Sequence, residues 1–286
     1  KYLSHTISRY RHSRGCIMSV QWQKQVCLLT GASGGIGQAI AKRLADSGAR
    51  LILTGRNAKK LSELAEALPG QHRILCVDIT RPDDREKIAN VCQEMGLTLL
   101  INNAGVSCVG DFHGVPAQAI EDVMTVNLLA PVALTQRLLP VLRRSEEARV
   151  VNIGSTFGSV GFPYHSIYCA SKFGLRGWTE SLSREYRATS LSFHYLAPRA
   201  TNTAINNKNV VAMNHALGNE TDAPEVVADA LMLQLSKSRR RWFIGSPEKW
   251  FARLNGALPE LVDFALAKKL TTIRQFVSSA KEEKWR

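Results

Sequence analysis

Short unbroken apolar runs alternate with helical stretches from residue 26 to residue 244, and this alternation limits the fold more than any other feature of the chain. Val26–Thr30, Leu51–Leu53, Ile74–Val77, Leu97–Ile101, Arg149–Ile153, Leu191–Leu196 and Trp242–Ile244 read as strands. Between them, Ile36–Ser47, Lys59–Leu68, Pro82–Met95, Val115–Leu142, Ser166–Tyr186 and Ala223–Leu235 read as helices, with an interruption expected near Pro131. Gly48 and Pro69-Gly70 mark helix ends, and Pro82 and Pro224 sit in first turns, where a missing N–H costs nothing. A strand without polar alternation is covered on both faces. The pattern predicts an α/β fold: a doubly wound, seven-stranded, mostly parallel sheet with helices on both faces and a helical C-terminal extension.

The segment Thr30-Gly31-Ala32-Ser33-Gly34-Gly35-Ile36-Gly37 joins the first strand to the first helix. Glycines there allow a tight turn and let a phosphate approach the helix N-terminus, where free N–H groups and the dipole favour anions. A purely structural strand-to-helix turn is the alternative, and the spacing is wider than the usual Gly-x-Gly-x-x-Gly fingerprint. Tyr168 and Lys172 are four residues apart in a predicted helix. A helix turns every ~3.6 residues, so the pair shares one face. An ammonium beside a phenol stabilises the phenolate, so the Tyr168 pKa is expected below its ordinary value of ~10, making an acid–base group usable near neutral pH. Ser155 lies thirteen residues upstream, just past the fifth strand.

Together with Asn102-Asn103-Ala104-Gly105 after the fourth strand, these motifs make residues 24 to 245 resemble the short-chain dehydrogenase/reductase family in its compact, single-domain Rossmann-type branch. The resemblance implies that Tyr168 exchanges a proton with the substrate oxygen, Lys172 lowers the tyrosine pKa and binds the nicotinamide ribose, and Ser155 polarises the same oxygen. Asn127 matches the helix asparagine that holds a water linking Lys172 to solvent; otherwise it is a polar helix-packing residue. Gly31, Ser33, Gly35, Ile36, Gly37, Asn103, Ala104, Gly105, Thr203, Tyr168 and Lys172 are implied to line the cofactor. Asp78 matches the adenine-side carboxylate, or else caps the helix behind Pro82. Asn103 and its neighbours otherwise tie adjacent strands together. Gly55 stands where NAD-preferring relatives carry an acid, and the adjacent Arg56 can grip a 2′-phosphate, or is a surface cation; NADP(H) is therefore expected over NAD(H). No metal is expected. One departure stands out: Pro198-Arg199-Ala200-Thr201-Asn202-Thr203 carries Arg199 where relatives have a glycine. Relatives form homodimers or homotetramers.

The implied activity is interconversion of a carbonyl and an alcohol, the substrate a small molecule. Phe157, Val160, Phe162, Tyr164 and Met213 suggest lipophilic pocket walls, or simply core. A catalytically silent NADP-binding sensor or scaffold is the alternative function. The formal charge of +13 concentrates at the ends: residues 1–14 hold four Lys/Arg and no acid, and residues 237–286 hold twelve against five Asp/Glu. With the body near neutral and no recognised motif, nucleic-acid binding is not expected. Residues 248–286 read as a basic amphipathic extension of the 18–247 catalytic domain, touching a membrane surface, covering the pocket, mediating self-association or simply docked. Residues 1–17 read as a leader or non-native extension, with an organelle presequence as the rival. Six scattered cysteines without a C-x-x-C fit a reducing compartment, hence a cytoplasmic protein, peripheral to a membrane if the extension binds one. No uninterrupted apolar run reaches about 18 residues, so no spanning helix is expected.

Overall fold

The computed structural model describes residues 20–206 and 208–278. The predicted leader lies outside the described residues. Seven strands, β1 (Val26–Leu29), β2 (Arg50–Gly55), β3 (Arg73–Cys76), β4 (Leu99–Asn102), β5 (Ala148–Ile153), β6 (Leu191–Ala197) and β7 (Arg241–Phe243), form one sheet in the order β3-β2-β1-β4-β5-β6-β7. Every pairing is parallel; Leu28, for example, pairs with Ile52 on one side and Leu100 on the other.

Side chains alternate across a strand, and β1 divides accordingly. Cys27 and Leu29 join the core beneath α1 (Gly35–Asp46) and α7 (Pro224–Ser236). Val26 and Leu28 join the core beneath α3 (Pro82–Met95) and the long helix α4 (Ala117–Leu142). The remaining helices are α2 (Ala58–Glu66), α5 (Ser166–Glu185), α6 (Lys208–Ala216), α8 (Ser246–Ala257), α9 (Pro259–Ala267) and α10 (Leu270–Ser278). Strand order reverses between β1 and β4, and in open α/β sheets the crevice at that switch point, beyond the strands' C-terminal ends, takes the ligand.

The structure refines the sequence reading of one helix and corrects that of one loop. The helix over 117–142 is not broken at Pro131; it passes through a π-helical turn at Thr125–Leu129, where the Ala130 N–H reaches back to the Thr125 carbonyl. Pro131 then opens the following α segment, where it has no N–H with which to close the ladder onto the Asn127 carbonyl. The same helix is long and apolar enough on average to cross a membrane, but Leu134, Leu138 and Leu142 are buried against the sheet, as in a core helix. Residues 204–221, where the sequence analysis places no helix, contain α6. Its asparagine-rich start has low helix propensity; the helix is held by Val210 and Met213 packing with Ile273 and Val277 of α10.

Candidate active site

The glycine turn after β1 is shaped by backbone contact. Gly31 has φ +63°, and a Cβ there would lie 2.8 Å from the Ala104 Cα. At Gly37 a Cβ would strike the Gly31 carbonyl oxygen, so the first turn of α1 packs directly on the loop before it. Gly35 faces Thr203, whose methyl would be 2.9 Å from an added Cβ. The N-cap of α1 is Gly34, which gives no side-chain cap, whereas Asn57 caps α2 by accepting from the Lys60 N–H. Asn103 Nδ2 donates to the Thr30 and Gly31 carbonyls at 3.0 and 3.1 Å, and the Thr30 hydroxyl accepts from the Asn103 and Ala104 amides. The strand-tying role of Asn103 is thus present in full.

Beyond this turn lies a cavity of about 480 Å³. Its walls include Ile36, Asn103, Gly105 and Thr203 from the predicted cofactor set and Ser155, Tyr168 and Lys172 from the predicted catalytic set. Gly31, Ser33, Gly35, Gly37, Arg56, Asp78, Ala104 and Asn127 are not walls of it. Ser33 sits instead beside β2, its Oγ 3.1 Å from where a Cβ on Gly55 would stand, and the neighbouring Arg56 is exposed. The Asp78 carboxylate accepts from the amide and hydroxyl of Thr80, at 2.9 and 2.7 Å. Asp78 does not cap α3; the N-cap position is Arg81, and Asp84 bonds back to the Asp78 amide. Asn127, in the π turn, clamps Val106 through both its amide and carbonyl and donates to Ser171 Oγ at 3.1 Å. Both halves of its side chain are engaged, so that side chain is a packing element.

Lys172 is buried and its Nζ donates to the Ile153 carbonyl at 3.1 Å, 5.7 Å from the centre of the Tyr168 ring. Burial pushes the Tyr168 phenol up to about 12, opposed by a hydrogen bond from Ser155, and pulls the Lys172 ammonium down to about 8. The shift is therefore opposite to the expected depression: desolvation of the anion outweighs the hydrogen bond that would stabilise it. Ser155 Oγ accepts from the Phe157 amide at 3.1 Å, which leaves its own proton free to donate.

One side chain at the site escaped the sequence reading, and one noted there only as a departure gains a structural role. Tyr195, on β6, is fully buried; its hydroxyl accepts from the Ser155 amide at 3.2 Å and donates to the Ser155 carbonyl at 3.1 Å. Its ring fills a slot that any side chain at Gly154 or Gly158 would close. The flanking glycines around Ser155 were the only local sign. Arg199, noted as a departure, forms a bidentate pair with Asp222 at 2.9 and 2.8 Å and further pairs with Glu220 and Glu248 at 2.6 and 3.6 Å. It ties the loop after β6 to α8 and keeps its charge, held by those carboxylates. Of the expected apolar walls, Phe157, Val160, Phe162 and Met213 line the cavity. Tyr164 does not: it adopts φ 63° and packs in the cluster beneath α6 and α10.

A family model described as short chain dehydrogenase matches residues 25–214, and the chain belongs to the short-chain dehydrogenase/reductase family. It is 31% identical over 239 residues to dehydrogenase/reductase SDR family member 7B of Bos taurus, covering 78% of this chain and 74% of that protein. A short-chain dehydrogenase from Sphingobium yanoikuyae in complex with NADPH superposes with a TM-score of 0.70 at 28% identity, over 84% of this chain and 95% of that one. A Burkholderia phymatum short-chain dehydrogenase/reductase in complex with NAD has the same fold, with a TM-score of 0.75 at 23% identity over 84% and 96% of the two chains. The chain is accordingly an NAD(P)-dependent oxidoreductase working between carbonyl and CH–OH groups. Its residues fit such a cofactor. Thr203 Oγ1 is buried with no hydrogen-bond partner among the described residues, and it belongs to a residue on the cavity wall.

Proposed function

We propose that the chain is an NADP(H)-dependent oxidoreductase that interconverts a lipophilic ketone or aldehyde and its alcohol, with Tyr168 as acid–base group. The reading rests on one observation: Ser155, Tyr168 and Lys172 share a cavity with Ile36, Asn103 and Thr203 beside the glycine turn. The turn, Asn103 and Thr203 would hold the dinucleotide, and Arg56 with Ser33 would meet a 2′-phosphate at the place that Gly55 leaves open. When bound, the cofactor supplies or accepts the hydride.

The chain's own residues manage the oxygen and its proton. Ser155, held by Tyr195, donates to the substrate oxygen and polarises it. With its pKa near 12, Tyr168 keeps its proton at neutral pH and can give it to an oxygen that is becoming an alkoxide. That state suits reduction; the reverse reaction needs the phenolate, which a protonated Lys172 favours. Asn127 would serve the link between Lys172 and solvent through its carbonyl, which Pro131 cannot cap, rather than through its engaged side chain. Phe157, Phe162, Met213, Val262 and Leu266 on the walls support a lipophilic substrate. The test is a panel of steroid, retinoid, acyl and sugar carbonyls followed by oxidation of NADPH and NADH. Turnover of lipophilic carbonyls with NADPH preferred is the expected result. Coenzyme binding without turnover of any class would favour the silent sensor instead.

We also propose a homodimer or homotetramer, supported by exposed Leu129 and Phe173 on the neighbouring α4 and α5. We place the protein in the cytoplasm, where buried thiols such as those of Cys27, Cys92 and Cys169 stay reduced. The C-terminal helices suit peripheral contact with an anionic membrane: Trp250, Leu261 and Phe264 are exposed, Arg253 lies over the Trp250 ring and Lys268 over that of Phe264. Co-sedimentation with phosphatidylglycerol vesicles should be lost in the Trp250→Ser, Phe264→Ser double variant; equal binding by parent and variant removes the membrane contact.

A further inference from the structure

The catalytic cavity extends well past the groups that handle the reacting oxygen. An aromatic wall leads away from Tyr168: the Phe157 ring stands edge-on to it at 6.4 Å between centroids and stacks on Phe162 at 4.7 Å. Phe162 in turn packs against the cluster that Val210 and Met213 of α6 form with α10. Two rings therefore separate Tyr168 from α6. Val210, Met213, Asn214 and Leu217 of this segment are all walls of the cavity. Their spacing is i, i+3, i+4, i+7, the single stripe of an amphipathic helix, and three of the four are apolar as such a stripe requires.

Asn214 is the exception in that stripe. It is only 9% exposed. Its Oδ1 accepts from Asn219 Nδ2 at 3.3 Å, and its main-chain carbonyl accepts from the Asn219 amide at 2.9 Å. Its own Nδ2 donates to no group among the described residues. The other polar walls nearby are engaged: Asn206 Nδ2 donates to the Thr201 carbonyl at 2.9 Å, and Arg199 pairs with Glu220 and Glu248. Glu248 Oε2 has no partner either, but it is enclosed by protein and closed to a ligand. An amide carries two N–H donors, and withdrawing them from water costs free energy unless an acceptor meets them. A leucine would continue the stripe without that cost. A second donor comes to the same end of the cavity. Lys269, also a wall, stands one turn before Ile273, the residue through which α10 packs on α6.

We propose that Asn214 is a specificity-determining residue whose Nδ2 donates to a second oxygen of the substrate. The substrate is then a lipophilic carbonyl compound with a hydroxyl or carboxylate at the end remote from the reacting carbon. Its apolar middle lies along Phe157 and Phe162, and Lys269 adds a charge partner where the remote group is a carboxylate. This deepens the reading of the cavity as a carbonyl–alcohol site, and rests on it, by naming the class of substrate that the site takes.

The full chain is assayed with NADPH on the n-alkanals from hexanal to dodecanal, each beside its ω-hydroxy and ω-carboxy counterparts. The readout is the ratio of kcat/KM within a matched set, in which general damage to the enzyme cancels. At the chain length that spans the cavity, the parent should favour an oxygenated member at least ~10-fold over the plain alkanal. Asn214→Leu should bring that ratio to within about twofold of unity. Asn214→Asp keeps an oxygen for Asn219 to donate to, so it preserves the local fold if the leucine variant does not. It should turn the preference against the ω-carboxy member, because a carboxylate then faces a carboxylate. A preference for the ω-carboxy member that Lys269→Gln removes assigns the second oxygen to a carboxylate. A preference for the ω-hydroxy member that survives Lys269→Gln assigns it to a hydroxyl, and both results sustain the site. Binding is read apart from turnover by calorimetry of the matching α,ω-diols and n-alkanols on the chain saturated with NADP+. If no aldehyde turns over, yet diols bind at least ~10-fold more tightly than alkanols and Asn214→Leu removes the difference, the oxidoreductase reading fails and the polar subsite stands. The proposal is overturned if the parent discriminates within no set in either measurement, or if Asn214→Leu lowers kcat/KM equally for plain and oxygenated members, which makes Asn214 a packing residue.

Discussion

The two halves of the catalytic cavity are built by different means. On the cofactor side, the β1–α1 turn and the loop after β4 fit together through backbone: Gly31 against the Ala104 main chain, Gly37 against the Gly31 carbonyl, Asn103 bonded to the Thr30 and Gly31 carbonyls. On the substrate side, the walls are joined by side chains that meet across long stretches of sequence. Tyr195 holds Ser155, Arg199 gathers Asp222, Glu220 and Glu248, and α6 rests on α10. A backbone-built region tolerates almost no added atoms. A side-chain-built region tolerates substitution of its parts but fails when one member of a charged network is removed.

The contrast can be broken most forcefully at Gly37. Gly37→Ala places a Cβ against a backbone oxygen that has no rotamer to move, so NADPH affinity should fall at least ~100-fold with a loss of about 1–3 kcal/mol in stability. Isothermal titration and urea unfolding would check it; an unaltered dissociation constant would mean that the turn is softer than its contacts indicate. Next in size is Arg199→Gly, which introduces the residue that the family resemblance implies at this place. Because it strands the nearly buried Asp222 carboxylate, and Glu248 with it, it should destabilise by about 2 kcal/mol rather than improve the enzyme. A Tm equal to the parent's would show that the network contributes nothing. The smallest effect is expected from Tyr195→Phe. It removes two hydrogen bonds to the Ser155 backbone and leaves the ring in its slot, so kcat should drop by roughly 10-fold with KM for coenzyme unchanged. A drop in coenzyme affinity instead would move Tyr195 out of its positioning role.

The same contrast explains what the sequence revealed. Glycines that touch backbone must be glycines, so Gly31 and Gly37 were legible as part of a motif, and the wholly apolar β1 with the largely apolar β4 and β5 announced a parallel sheet. Tyr168, Lys172 and Ser155 were legible because helix periodicity and a strand end fix their relative places. Tyr195 sat unnoticed in an apolar run, because nothing local says that its hydroxyl turns toward Ser155 forty residues away. The helix α6 was missed because its partner α10 lies more than fifty residues downstream. The direction of the Tyr168 shift was misjudged for a related reason: charge proximity can be read from spacing, but depth of burial cannot.

The proposed convergence of Ser155 and Tyr168 on one substrate oxygen, with Lys172 behind the phenol, is tested most directly by Tyr168→Phe, assayed for turnover of an accepted carbonyl and for NADPH affinity in the same preparation. The arrangement predicts a fall in kcat of roughly 10²–10⁴-fold, with the NADPH dissociation constant within about twofold of the parent. A variant that keeps most of its turnover would contradict it.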